Sequence, residues 1–271
     1  MFIPRPTSAI TPAAPRPYDT WLADTSYHRN AFPNTSLLTG LNQCLRRLSH
    51  PRLLAADPTE VCVLMDLDGT LVDTEPLHYR AYMEALRECK GDHTAASVSY
   101  QEFLKETHCG DWAGRLLAIC ENENGMYHRV CVRKREIMCS HKDPIAFIPG
   151  MERLVRTIID RGLPHAVVTN TSRVTVEWMQ DRLPLLKELR NWITREDVPL
   201  PKPDPSCYDK AVRMYGKNAR HVIAFENTYH GWQSVRNVAD VVYIITDSTS
   251  PSYPLLKKED VFLLKEYTAD I

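Results

Sequence analysis

Residues 61–78 read VCVLMDLDGTLVDTEPLH. The apolar residues Val61 to Met65 run without a break into Asp66, a one-residue spacer, Asp68 and Gly69. An uninterrupted apolar run this short suits a strand covered on both faces, as in a parallel sheet, where ligands collect at the carboxyl ends of the strands. Alternate side chains of a strand share a face, so Asp66 and Asp68 are expected to point the same way unless the chain has already begun to turn. Carboxylates so close repel, and a shared proton or a bound cation relieves them. Asp-x-Asp-Gly is also an ordinary turn or helix cap, so the rest of the chain decides between structure and chemistry.

The 271 residues are 44% hydrophobic and 25% charged, enough for a full core and for one large domain with a smaller one beside it. A net charge of -1 gives no global attraction to nucleic acid, and no apolar run approaches the length that spans a bilayer, so neither is an expected partner. The eight cysteines include no Cys-x-x-Cys pair, and Cys62 falls in the apolar run; free thiols in a reducing compartment are the simplest reading.

Working outward, residues 1–58 read as an N-terminal extension. Its first 35 or so residues are rich in Pro, Ser, Thr and Ala and read as a flexible tail, followed by an amphipathic helix over Leu37–Leu48 and a boundary at Asp57-Pro58. Its cations are all arginine, which leaves an organellar transit peptide open beside a cytoplasmic location. Beyond the opening stretch, Tyr82, Ala85, Leu86 and Cys89 repeat at helical spacing, and further helical segments are expected around 99–107, 111–120 and 126–139. Arg129, Arg133, Lys134 and Arg135 on the last of these read as a solvated basic face, with a contribution to substrate attraction the alternative. From Met151 onward helix and strand alternate, with strands expected at His165–Thr169, Asn191–Thr194, Val222–Glu226 and Val241–Ile245, and helices at Thr175–Leu183 and Tyr208–Tyr215. The fold class is α/β, a Rossmann-like three-layer sandwich with a parallel sheet into which a helical segment is inserted. Ser248 to Ile271 is a Ser/Pro loop followed by a mixed segment of no clear type.

The opening string closely resembles the first motif of the haloacid dehalogenase superfamily, in the subgroup of capped phosphatases and phosphosugar mutases of the β-phosphoglucomutase type. The resemblance covers roughly residues 60–245 and implies a core domain of residues 59–76 and 149–271, with a helical cap of residues 77–148. It implies that Asp66 is a nucleophile forming an aspartyl-phosphate and that Asp68 is the acid/base. The second acid also separates the chain from the dehalogenases that name the superfamily. AVVTNTSR resembles the second motif, with Thr169 and Asn170 at phosphoryl oxygens and Arg173 suited to a second anionic group; Thr171 and Ser172 could reach the far end of a substrate. ITREDVPLPKPDPSCYDKA resembles the third, with Lys202 the lysine that pairs with nucleophile and phosphoryl group; Pro201 stands where relatives often have glycine. VIAFENTYHGW resembles the fourth, so that Asp66, Asp68, Glu226 and Asn227 are the implied Mg2+ ligands. There Asn227 departs from the usual second acid and removes a formal charge from a hard-cation site.

His78 falls at a hinge position of the family, open to either proton traffic or a structural hydrogen bond, and the loop His108-Cys109-Gly110-Asp111 would face the substrate, with His108 itself read as structural or exposed. The implied activity is a magnesium-dependent phosphatase of a small phosphorylated metabolite, a sugar phosphate among the candidates. A phosphosugar mutase and a non-catalytic phosphate-binding protein are the alternatives, the latter because of Asn227. Substrate identity and oligomeric state are not readable from the sequence.

Overall fold

The computed structural model describes residues 60–91, 97–121, 125–142 and 144–264. The expected helix over Leu37–Leu48 and the boundary at Asp57-Pro58 lie outside them. The frame is a six-stranded, all-parallel sheet: β1 (Val61–Met65), β2 (His165–Val168), β3 (Trp192–Ile193), β4 (His221–Glu226), β5 (Val241–Ile245) and β6 (Phe262–Leu264), in the order β3-β2-β1-β4-β5-β6. From β1 the chain builds outward through β2 and β3, then crosses back to add β4, β5 and β6 on the other side. The order therefore reverses between β1 and β4, and the crevice at the carboxyl ends of those two strands is where this topology places a ligand. Met65 lies beside Phe225, so both strands deliver their last residues at the same level.

Both sheet faces are apolar, with a period of two. Val61, Val63, Met65, Val167, Phe225 and Tyr243 pack into one cluster; Cys62, Leu64, Ala166, Val168, Ala224 and Val242 pack into another. Helices cover both sides, which makes the three layers. Those between β1 and β2 are α1 (Glu75–Lys90), α2 (Tyr100–Cys109), α3 (Trp112–Ile119), α4 (Met126–Ser140) and α5 (Met151–Asp160). The remainder are α6 (Arg173–Arg182), α7 (Leu185–Glu188), α8 (Ser206–Tyr215), α9 (Tyr229–Val235) and α10 (Tyr253–Leu256). Residues of α5 and α6, such as Leu154, Ile158 and Met179, join the first cluster; Tyr208 and Ala211 of α8 and Trp232 and Val235 of α9 join the second.

The helical insertion α1–α4 leaves and returns through one doorway. Val72 bridges Phe147 antiparallel, and the Ile148 amide donates to the Leu71 carbonyl at 2.9 Å. α1 is set by Pro76 in its first turn, Glu75 at its positive end and Arg87 and Lys90 at its negative end. A reciprocal Ser99–Glu102 capping box starts α2. Tyr79, Tyr82, Phe103 and Trp112 form tilted and edge-on ring contacts that join α1, α2 and α3.

Two sequence expectations change. The unassigned tail contains β6, a three-residue edge strand paired with β5. Lys134, read with its neighbours as a solvated charge, is buried; Arg133 and Arg135 are half-buried and Arg129 is exposed. Among the described residues all seven cysteines are free, and no helix is long and apolar enough to cross a membrane.

Candidate active site

Asp66, the first residue past β1, is 7% exposed, and its carboxylate Oδ1 accepts from Lys202 Nζ at 2.7 Å. The same ammonium donates to Glu226 Oε1, the last residue of β4, at 2.6 Å. Tyr208 Oη completes the knot, donating to Glu226 Oε1 at 2.6 Å and accepting from Lys202 at 3.1 Å. Lys202 arrives on the loop before α8, through a cis Lys202–Pro203 peptide. Asn170 fixes that loop: the Lys202 amide donates to Asn170 Oδ1 at 2.9 Å. The Glu226 carboxylate fits because residue 231 is glycine, since a Cβ there would stand 1.9 Å from Glu226 Oε2.

The Asp66 carboxyl is raised to about 7: burial pushes it up most, Lys202 pulls it down, and Glu226 and Asp68 push it up further. For Lys202, burial opposes the charge, yet the two facing carboxylates outweigh it and raise its pKa. A buried centre with two carboxylates on one ammonium thus carries excess negative charge.

Asp68 has the opposite environment. Its Oδ1 accepts from Thr74 Oγ1 at 2.5 Å and from His78 Nε2 at 2.9 Å; its Oδ2 accepts from Thr171 Oγ1 at 2.6 Å and Thr169 Oγ1 at 3.3 Å. Burial raises its pKa, but His78 and the hydroxyl donors outweigh burial and hold it well below the usual carboxylate range. Behind His78 stands Lys134 of α4, whose Nζ lies 2.7 Å from His78 Nδ1 and 5.0 Å from the Tyr82 ring centroid. Burial pulls the Lys134 ammonium down to about 8, and burial, then Lys134, lower the His78 pKa.

Asp66, Asp68, Thr169, Asn170, Lys202, His78 and Glu226 are thus linked in hydrogen-bonded networks at the sheet's carboxyl edge. Arg173 belongs to a different cluster, its guanidinium held by both oxygens of Asp197 at 2.9 and 2.8 Å. Thr171, expected to reach toward a substrate, turns back onto Asp68. His108 turns inward, to Glu75 Oε1 at 2.6 Å, and Asp111 caps α3.

Sequence reasoning missed Lys134, Tyr208, Thr74 and Glu75 as members of the site. A signal existed for Lys134. Met126, Val130, Lys134, Ile137 and Met138 form one stripe of α4, and the stripe is buried.

At the implied metal position, Asn227 Nδ2 donates to Glu75 Oε1 at 2.9 Å, and its Oδ1 accepts from Thr70 Oγ1 at 3.3 Å. Glu226 is committed to Lys202 and Tyr208, and among the described residues no three His, Cys, Asp or Glu side chains form a ligand cage. Asp68, also an implied ligand, spends both carboxylate oxygens on Thr74, His78, Thr171 and Thr169. The implied ligands then leave oxygen donors, the second Asp66 carboxylate oxygen and the Asn227 amide carbonyl. They fit magnesium, which takes one or two carboxylates, completes its shell with water and phosphate oxygens, and needs no dedicated protein cage.

The doubly wound sheet and the acid–lysine–acid centre at its switch point define an α/β protein with a polar, carboxylate-based site. A family model described as haloacid dehalogenase-like hydrolase matches residues 63–244. The chain belongs to that family. It is 27% identical over 182 residues to protein CbbY of Cereibacter sphaeroides, covering 64% of this chain and 79% of the relative. It is 26% identical over 216 residues to 2-deoxyglucose-6-phosphate phosphatase 1 of Saccharomyces cerevisiae, covering 73% and 85%. A solved haloacid dehalogenase-type hydrolase of Entamoeba histolytica shares the fold at a TM-score of 0.60 and 20% identity, covering 75% of this chain and 91% of that one.

Proposed function

We propose that the chain is a magnesium-dependent phosphatase of a small phosphorylated metabolite, acting through an aspartyl-phosphate on Asp66. The observation that carries this reading is the Asp66–Lys202–Glu226 centre, with Asp68 in a second hydrogen-bonded network beside it. Relatives named as phosphatases of phosphorylated sugars support the substrate class.

A carboxylate oxygen of Asp66 attacks phosphorus in line, the new O–P bond forms, and the bond to the leaving oxygen breaks. That oxygen needs a proton, and Asp68 rests as a carboxylate. Lys134 supplies it through His78: Nζ donates to Nδ1, so Nε2 carries the hydrogen that faces Asp68 Oδ1. One proton passes from Nε2 to Asp68 and on to the leaving group while Lys134 gives one to Nδ1, which leaves the relay one proton short. Asp68 then takes a proton from the water that attacks the aspartyl-phosphate; the new O–P bond forms, the Asp66 O–P bond breaks to release phosphate, and a proton passes back through His78 to Lys134. Lys202 supplies positive charge beside Asp66 for the phosphoryl oxygens, and Thr169 would have to turn its hydroxyl from Asp68 to donate to them. Magnesium, when bound by Asp66 and Asn227, would neutralise carboxylate and phosphate together. The relay also ties chemistry to architecture, since Lys134 sits on α4 of the insertion and reports whether the helices, read as a cap, are seated.

The test is phosphate release from a panel of sugar and polyol phosphates, with and without Mg2+, for wild type and Asp66→Asn. Release that needs both Mg2+ and Asp66 supports the reading. Isomerised substrate without net release would replace it with a mutase, and equal inactivity of both proteins with a binding protein.

A further inference from the structure

The amide at position 227 stands where an acid is usual, and what surrounds it is specific. Glu75 Oε1 accepts two hydrogen bonds, from Asn227 Nδ2 at 2.9 Å and from His108 Nε2 at 2.6 Å. A carboxylate can only accept, so the chemistry fixes the amide's orientation: nitrogen toward Glu75, carbonyl oxygen on the opposite side, where the Thr70 hydroxyl reaches it at 3.3 Å. The contact is possible only because residue 69 is glycine. A Cβ at Gly69, whose φ is +74°, would stand 2.1 Å from Asn227 Nδ2 and 2.7 Å from Glu75 Oε1. Gly69, Glu75, His108 and Asn227 also line a cavity of about 250 Å³, so solvent reaches the Glu75–Asn227 pair.

We propose that Glu75 is a positioning residue for the metal: it turns the Asn227 carbonyl oxygen toward the ion and supplies, one hydrogen bond away, the negative charge that Asn227 lacks. The inference rests on the magnesium-dependent reading above. His108 holds Glu75 from α2, so the orienting carboxylate is anchored in the inserted helices rather than in the sheet. Partners of metal ligands act on affinity even without touching the ion, and losing one costs roughly 10–100-fold.

The test measures Mn2+ affinity by electron paramagnetic resonance, with Mg2+ as competitor and orthophosphate present, on the full chain. Glu75→Ala removes both acceptor and charge and should weaken Mn2+ binding about 10–100-fold. Glu75→Gln keeps an acceptor for Asn227 and removes the charge, so it should fall between wild type and Glu75→Ala. It also keeps the test decisive if the alanine variant does not fold. Folded Glu75 variants that bind Mn2+ as wild type does, while Asp66→Asn binds it weakly, would overturn this role for Glu75 and leave the metal reading standing. A wild type that binds no Mn2+ with phosphate present would overturn both.

Discussion

At the residue scale, Asp66 and Asp68 show how one backbone turn gives two carboxylates opposite environments. Asp66 is buried against another acid and shares one ammonium; Asp68 is wrapped in three hydroxyls and an imidazole. In metal-free protein the Asp66 pKa is raised from 3.8 to about 7, so between those values the folded state binds more protons than the unfolded state. Stability therefore falls as pH rises through that window. Asp66→Asn removes this penalty, so in EDTA its Tm gain over wild type should be larger at pH 8 than at pH 5, as calorimetry would show. A gain independent of pH would contradict the assignment. Lys202→Met, by contrast, leaves both acids buried without their cation and should cost about 3–5 kcal/mol in denaturant titrations at pH 8. The pair of acids was legible in the sequence because the apolar run and Gly69 frame it. Tyr208 and Glu75 were not, because a tyrosine on an amphipathic stripe and an acid at a helix start already have ordinary structural uses.

At the element scale, two contacts between segments distant in sequence make the site. α9 packs against the end of β4 through Gly231, so Gly231→Ala must displace the Glu226 carboxylate. Overpacking of this kind costs about 1–3 kcal/mol, and loss of phosphate release beyond what the stability loss explains would show that Lys202 has moved. α4 brings Lys134 to His78, 56 residues earlier in the chain. With Lys134 held at about 8, the relay is charged below that pH and discharged above it, so the acid step fails as pH rises. Wild-type kcat should fall above about pH 8, and Lys134→Met should lose that limb with a loss of about 10²-fold below it; an unchanged profile would remove Lys134 from the proton path. Strands and helices were largely legible from periodicity, since β1, β4 and β5 are apolar runs and α1 and α8 carry apolar stripes. The side-chain meeting of α4 with α1 was not, because it depends on how two helices separated in the chain by α2 and α3 pack together. β6 was missed because three residues at a sheet edge are too few to show a period.

At the scale of the whole molecule, the strand order puts the ends of β1 and β4 side by side, while the insertion supplies His78, Lys134, Glu75 and His108 from α1, α4 and α2. On the proposed reading, a magnesium ion held by one carboxylate and one amide would need its phosphate partner. In thermal unfolding, Mg2+ and orthovanadate together should therefore raise Tm by more than the sum of their separate effects, and EDTA should abolish the joint gain. Additive shifts would mean that the ion and the anion bind without meeting. The central claim is that Asp66 carries the phosphoryl group. It is tested most directly by mixing excess enzyme with a turned-over phosphorylated substrate, quenching in acid within one turnover, and locating the phosphoryl group by mass spectrometry. The account predicts it on the peptide containing Asp66 and nowhere in Asp66→Asn; product formation with that peptide unmodified at every quench time would contradict it.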